Sequence, residues 1–312
     1  MAYEKEMEKV NYHVPVLLES SVEALLKQKE GVFVDVTFGG GGHSKHILQK
    51  ISPDKSLLIA LDQDSDAWQN AQKIQENHKN FKLIKKNFRY LQVALKELNI
   101  MKVSGILADL GVSSHQFDTP ERGFSFRFEA NLDMRMNQNQ EIDAQYVVNK
   151  YSEQDLHKIF GMYGEIKNAK TLAHSIVRAR NKAFIKTTED LKKNIAECIP
   201  KKEANKYLAQ VFQALRIEVN EELKALEEFF LQTTELLEKG GRLVIISYHS
   251  LEDRLVKNFL QKGKFLGEVE KDFYGNPIKP FKIIEKLIVP DEQEIQNNPR
   301  ARSAKMRVAE KI

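Results

Sequence analysis

Val34-Asp35-Val36-Thr37-Phe38-Gly39-Gly40-Gly41-Gly42-His43-Ser44 decides how this 312-residue chain is read. A β-rich run enters four consecutive glycines, and a helical stretch leaves them. Glycine permits the tight turn and lets a ligand approach the backbone, and the helix start beyond it offers unpaired N–H groups. The spacing predicts a strand over 32–38 and a helix over 44–50 that Ser44 can cap. Working outward, buried strands are expected at 57–61, 81–85 and 105–110, with helices at 65–77 and 91–98 between them. Strands alternating with helices mean βαβ units and a parallel sheet.

From about residue 117 to 207 that rhythm stops. Polar loops and helices at 152–160, 169–180 and 188–198 take over, the last opened by Thr187-Thr188-Glu189-Asp190. Residues 122–136 read as too polar and irregular for a core element. The α/β pattern resumes near 211, where Val219, Leu223, Leu226, Phe230 and Leu237 predict one amphipathic helix ending at Gly240-Gly241. A strand over 242–247, a helix over 251–261 and strands over 281–289 and 304–310 follow. The expected architecture is α/β: a sheet domain made of residues 1–116 and 208–312, interrupted by a mostly helical insertion of residues 117–207.

Composition narrows the class. Hydrophobic residues are 42% and charged residues 29%, which suits a soluble globular chain. The apolar runs reach five or six residues, far short of the ~20 of a membrane helix. The charged N-terminus lacks the apolar core of a secretory signal. A single cysteine, Cys198, excludes a disulfide scaffold or thiolate zinc cluster and points to a reducing, cytoplasmic setting. Net charge is +4, but Arg178–Lys206 carries nine Lys/Arg against four Asp/Glu, and Ile295–Ile312 five against one. Such stretches are compatible with a polyanion surface, but charge alone favours a solvated helix face.

The glycine run fails the dinucleotide fingerprint at Ser44, and it fails the phosphate-loop motif because Lys45 follows Ser44. Asp62, about 20 residues on at the next strand end, suits the two hydroxyls of a ribose. Asp35 adds a second acid. These groups favour a ligand with an adenosine ribose and a cationic end, such as S-adenosyl-L-methionine, although Asp62 and Asp64 also read as strand-end and capping acids. Asp109 ends the fourth strand in Ala108-Asp109-Leu110-Gly111-Val112-Ser113-Ser114 and is placed to face cofactor and acceptor. Ser247 and His249 end a later strand on the same rim. There is no metal-ligand constellation, and the paired motifs of zinc deaminases are missing.

In these stretches the chain resembles the bacterial 16S rRNA cytosine-N4 methyltransferases, the RsmH or MraW family. The resemblance runs nearly end to end. It is carried by His13-Val14-Pro15-Val16-Leu17-Leu18, the glycine loop through Ser44, Asp109–Ser114, Arg122-Gly123-Phe124-Ser125-Phe126 and Leu132-Asp133-Met134-Arg135-Met136. Tyr163-Gly164-Glu165, Phe212-Gln213-Ala214-Leu215-Arg216-Ile217, Gly240-Gly241-Arg242-Leu243, Ser250-Leu251-Glu252-Asp253-Arg254 and Asn298-Pro299-Arg300-Ala301-Arg302-Ser303 complete it. The chain departs from the family at His115 and Asn131, where proline is expected, which alters loop stiffness.

The resemblance implies a class I (Rossmann-like) S-adenosylmethionine-dependent methyltransferase sheet with a helical insertion for substrate recognition. It implies methylation of the N4 amine of a cytidine in the decoding region of 16S rRNA, within the small ribosomal subunit, with no membrane partner; a homodimer stays open. Family cofactor contacts carry over to Gly41, Gly42, His43, Asp62, Phe88, Asp109 and Gln116. For catalysis, Asp109 or a carbonyl beside it is expected to accept the amine's hydrogen bond, with His249 or Ser247 helping to hold the base, and Asp133, Arg135, Arg300 and Arg302 are expected to meet RNA. Phe124, Phe126 and Phe128 invite base stacking, and their spacing fits packing between the domains equally. The rival readings are a non-catalytic assembly factor that binds S-adenosylmethionine structurally, and a nicotinamide oxidoreductase. The complete set of strand-end groups opposes the first, and the failed glycine position opposes the second.

Overall fold

A computed structural model describes residues 15–312; His13 and Val14 of the first shared motif lie outside them. The first half winds α1 (Leu18–Leu25), β1 (Gly31–Asp35), α2 (Gly42–Lys50), β2 (Ser56–Leu61), α3 (Ser65–Asn77), β3 (Phe81–Ile84), α4 (Leu91–Lys96) and β4 (Val103–Asp109). After α5 (Ser114–Asp118) come α6 (Ala144–Lys150), α7 (Glu153–Met162), α8 (Ala169–Arg180), α9 (Thr188–Asn194) and α10 (Ala204–Asn220). The chain then returns to the sheet through α11 (Glu222–Leu236), β5 (Leu237–Ser247), α12 (Ser250–Lys262), β6 (Phe281–Ile288), α13 (Glu292–Asn297) and β7 (Lys305–Lys311).

The seven strands lie in the order β3-β2-β1-β4-β5-β7-β6, with β7 antiparallel to both of its neighbours. Val34 faces Ile59 of β2 on one side and Ile106 of β4 on the other. This is the expected class I methyltransferase sheet. Two apolar clusters cover its faces, one around Phe229, Phe230 and Phe259, the other around Phe33, Ile47 and Met306. The winding reverses between β1 and β4, so their carboxyl ends open a crevice at the rim. Among the described residues no helix is long and apolar enough to cross a membrane.

A third cluster, from Phe124 to Val219, belongs to the helical unit. Its helix α9 starts as read, with Thr187 and Asp190 forming a capping box. Four sequence readings are corrected. Residues 122–136 do enter a core: Phe124, Leu132, Met134 and Met136 are buried, because their neighbours turn outward and hide the apolar pattern. Helix α6 and the start of α10, unread in the sequence, complete that unit, and α10 carries Leu208 to Val219 into its core across residue 207.

The helix expected up to Gly240 is broken instead. Glu221 adopts a left-handed conformation (φ 47°) between α10 and α11, and the chain from Leu237 is already strand. Gly240-Gly241 sit where the β4–β5 register shifts; a Cβ on Gly241 would stand 2.9 Å from the Glu238 carbonyl oxygen. Finally, Ser44 caps nothing. Gly41 occupies the N-cap with φ 76°, and Ser44 donates to buried Asp35 at 2.7 Å.

Arg122 ties the helical unit to the sheet. Its guanidinium is buried and forks onto Asp64 at 2.8 and 3.2 Å, reaches Asp66, and donates to the carbonyls of Arg135 and Met136 at 2.9 and 3.3 Å. Removing one partner of such a pair strands a buried charge. Arg122→Met is expected to cost about 3–5 kcal/mol, read as a lower urea midpoint; an unchanged midpoint would refute the assignment.

Candidate active site

Elementary sterics shape the glycine turn. A Cβ on Gly42 would fall 2.2 Å from Pro15 Cγ, whereas one on Gly40 would meet nothing within 4 Å. The chain is thus packed tightly behind the turn and open in front of it, which leaves bare backbone for a ligand. The turn is closed by Asp62, whose carboxylate accepts the Gly39 N–H at 2.7 Å and the Asp64 N–H at 2.8 Å. Loss of surrounding water pushes the Asp62 carboxyl up to about 6, with these two hydrogen bonds pulling the other way.

Asp109 ends β4 beside the start of the turn. Its backbone N–H donates to Thr37 Oγ1 at 2.7 Å, which locks β4 to the start of the turn. Its Oδ1 accepts the Tyr248 hydroxyl at 2.7 Å, and its Oδ2 lies 3.8 Å from His43 Nδ1. The other ring nitrogen of His43 sits 3.2 Å from the Val16 carbonyl oxygen, so the imidazole is held between backbone and acid. Burial pushes the Asp109 carboxyl up to about 6, against the pull of His43 and of the Tyr248 hydrogen bond. Burial and the neighbouring Asp109 charge raise the Tyr248 phenol well above its ordinary value.

The crevice is lined by Thr37, Gln63, Asn87, Phe88, Leu110 and Gly111, with Met136, Asn220, Glu222 and Glu252 behind them. Phe88 presents a half-buried ring, steadied edge-on by Phe229 at 5.4 Å. Of the residues the resemblance names, Phe88 lines this crevice, while Gly41, Gly42, His43, Asp62 and Asp109 lie at the turn and strand ends beside it. Gln116 takes a different part: its amide nitrogen donates to Asp64 at 2.6 Å and its oxygen closes the capping box of α5, so it braces the Arg122 fork.

Ser247 and His249 do not reach Asp109; Tyr248 between them does. Ser247 is buried at the strand end, with its hydroxyl toward the Lys305 carbonyl oxygen. His249 caps α12: its Nδ1 accepts the Glu252 N–H at 3.4 Å and its Nε2 lies 3.2 Å from Glu252 Oε1. Burial raises the Glu252 carboxyl, but His249 and Arg216 outweigh it and hold Glu252 below the ordinary range. Arg216 also forks onto Glu222 at 2.8 and 2.9 Å. Sequence reasoning missed Tyr248, Thr37 and Arg122; the strand end at 247 was visible, but which residue beyond it turns back was not.

None of the expected RNA residues lines the cleft. Arg135 forks onto Asp133 at 2.9 and 2.7 Å and also donates to the Gln140 carbonyl. Arg300 forks onto Asp118. Arg302 is exposed.

Comparison with known proteins gives the family to which this chain is similar. The MraW methylase family profile matches residues 10–312. The chain is 56% identical over 303 residues to the ribosomal RNA small subunit methyltransferase H of Flavobacterium johnsoniae, covering 97% of this chain and 99% of that protein. It is 50% identical over 307 residues to the protein of the same name in Bacteroides thetaiotaomicron, covering 98% and 99%. A solved structure described as a putative rRNA methylase from Clostridium thermocellum covers 95% of this chain and 97% of its own, at 13% identity and a TM-score of 0.44.

In a 13C NMR titration of aspartate side chains, Asp109 is expected to titrate at about 6 rather than near the usual ~3.9. Tyr248→Phe removes a donor to the ionised form and should move that value further up. A normal Asp109 value in both proteins would contradict the desolvated clamp.

Proposed function

The chain belongs to the MraW methylase family, and from that premise we propose that it is an S-adenosylmethionine-dependent methyltransferase acting on the N4 amine of a cytidine in small-subunit rRNA. The observation that carries the reading is the Asp109 carboxylate, clamped at the β4 end by Tyr248 and tied through Thr37 to the glycine turn that Asp62 closes.

The residues fit the cofactor. Asp62 keeps lone pairs for two ribose hydroxyls beyond the backbone N–H groups it accepts, Phe88 offers a face for the adenine, and bare backbone at Gly40 admits close approach. When bound, S-adenosylmethionine supplies a methyl carbon on a cationic sulfur, open to in-line attack. The acids Asp35, Asp62 and Asp109 suit that positive charge. Tyr248 occupies Oδ1 of Asp109 and leaves Oδ2 to accept one N–H of the cytosine amine. Fixing the amine this way turns its nitrogen toward the methyl group, and such alignment can contribute about 7–11 kcal/mol. The nitrogen–carbon bond forms as the carbon–sulfur bond breaks, and the amine's surplus proton leaves to water. His249 and Glu252 act at one remove, since Glu252 accepts the Tyr248 N–H at 3.0 Å and so sets the phenol's position.

For the RNA backbone, Arg302 offers its donors directly. Arg135 and Arg300 would exchange the forks they now make with Asp133 and Asp118 for phosphate oxygens. We assign residues 117–207, with α10, to substrate recognition. We take the substrate to be the decoding-region cytidine of 16S rRNA within the small subunit, and the setting to be cytoplasmic. A homodimer is not needed for the chemistry, because every group named in the cleft comes from one chain.

Incubating small-subunit rRNA with the protein and methyl-labelled S-adenosylmethionine is expected to place label in N4-methylcytidine, with assembled subunits labelled better than naked RNA. Label in another nucleoside would overturn the acceptor assignment. Asp109→Ala should lose about 100-fold or more in turnover while equilibrium dialysis still shows cofactor binding; near-normal turnover would remove Asp109 from the mechanism. Arg302→Gln should reduce the slope of log affinity for RNA against log salt by about 1.

A further inference from the structure

Of the three phenylalanines spaced at 124, 126 and 128, the fold buries Phe124 and packs Phe126 edge-on against Phe212 at 5.6 Å, but leaves Phe128 44% exposed. A second ring, Phe184 in the facing segment, is 58% exposed. The two segments form a short antiparallel ladder: Thr188 N–H donates to the Ala130 carbonyl, Asn131 bridges Thr187, and Leu132 N–H donates to the Lys186 carbonyl. In that ladder Phe128 and Phe184 lead in from opposite ends. Tyr146, the other exposed ring of this unit, meets Tyr151 edge-on; Phe128 and Phe184 have no ring partner among the described residues.

The charge around these rings differs from that around the expected arginines. Arg127, Lys182 and Lys186 are exposed and their side chains make no ion pair among the described residues, whereas Arg135 and Arg300 are spent on Asp133 and Asp118. Glu129 is the exposed acid of the ladder; Glu189 is held by Lys192, and Asp190 by the Thr187 capping box. The ladder continues into Asp133 and Met134, where the Met134 N–H donates to the Arg122 carbonyl and Arg122 grips Asp64 at the crevice. A strand laid along the ladder therefore leads to the rim.

We propose that Phe128 and Phe184 are stacking platforms for unpaired bases of the RNA substrate, with Arg127, Lys182 and Lys186 on the intervening phosphates. This rests on the reading of the chain as an rRNA methyltransferase. Base–aromatic stacking tolerates any base, and free cations beside it give charge complementarity, which is the chemistry single-stranded RNA requires. An apolar protein partner would not need the three unpaired cations.

The test uses the full chain and a fluorescently labelled, unstructured 12-nucleotide RNA containing cytidines, read by anisotropy. Phe128→Ala and Phe184→Ala are each expected to weaken binding about tenfold with the salt slope unchanged, and Phe→Trp at either site to restore it. Arg127→Gln and Lys186→Gln should each lower the salt slope by about 1. Unchanged S-adenosylmethionine affinity in the same variants shows that the sheet domain is intact. If the wild type methylates small-subunit rRNA yet both alanine variants bind RNA normally, the stacking site is wrong and the functional reading stands. If those variants lose instead the binding of RNA-free small-subunit proteins, the patch belongs to a protein partner. If the wild type neither binds nor methylates any RNA, both readings fall.

Discussion

The fork of Arg122 onto Asp64 is the contact on which the site depends. It joins a residue of the helical unit to Asp64, the N-cap of α3, two residues beyond the acid that closes the glycine turn. All of its neighbours are committed: Gln116 braces Asp64, Asp66 takes a second guanidinium nitrogen, and two carbonyls beyond Asp133 take a third share. A buried charge of this kind adds little net stability, but it tolerates one arrangement only. That is how a loop as polar as 122–136 is held in register over the crevice.

The crevice itself is an electrostatic compromise. Asp35, Asp62 and Asp109 gather at three neighbouring strand ends, where burial disfavours their charge and the Asp35 carboxylate raises the other two further. Backbone N–H groups, hydroxyls and His43 offset part of that cost. What remains is a cleft short of positive charge, which a sulfonium supplies and a pyrophosphate would not. The same logic explains why no glycine motif for phosphate was found at Ser44 and Lys45.

Outside the crevice, position in the fold decides which cations are available. Arg135 and Arg300 sit beside carboxylates and are satisfied within the chain, while Arg127, Lys182 and Lys186 are not. Sequence shows only that the stretch Arg178–Lys206 is basic. The fold shows that part of its free charge, Lys182 and Lys186, flanks the exposed ring of Phe184.

By itself the sequence determined the alternation of strands and helices, the strand–glycine–helix turn, and the acids at the strand ends, because each of these is written in the spacing of near neighbours. It also carried the family motifs. The tertiary structure alone decided that Tyr248, rather than Ser247 or His249, holds Asp109, a contact across 139 residues, and that Arg122 reaches Asp64 across 58. It alone broke the long helix at Glu221 and buried Phe124 while exposing Phe128. Those outcomes depend on which distant surfaces meet, and a side chain's partner across such a span leaves no periodic trace in the chain.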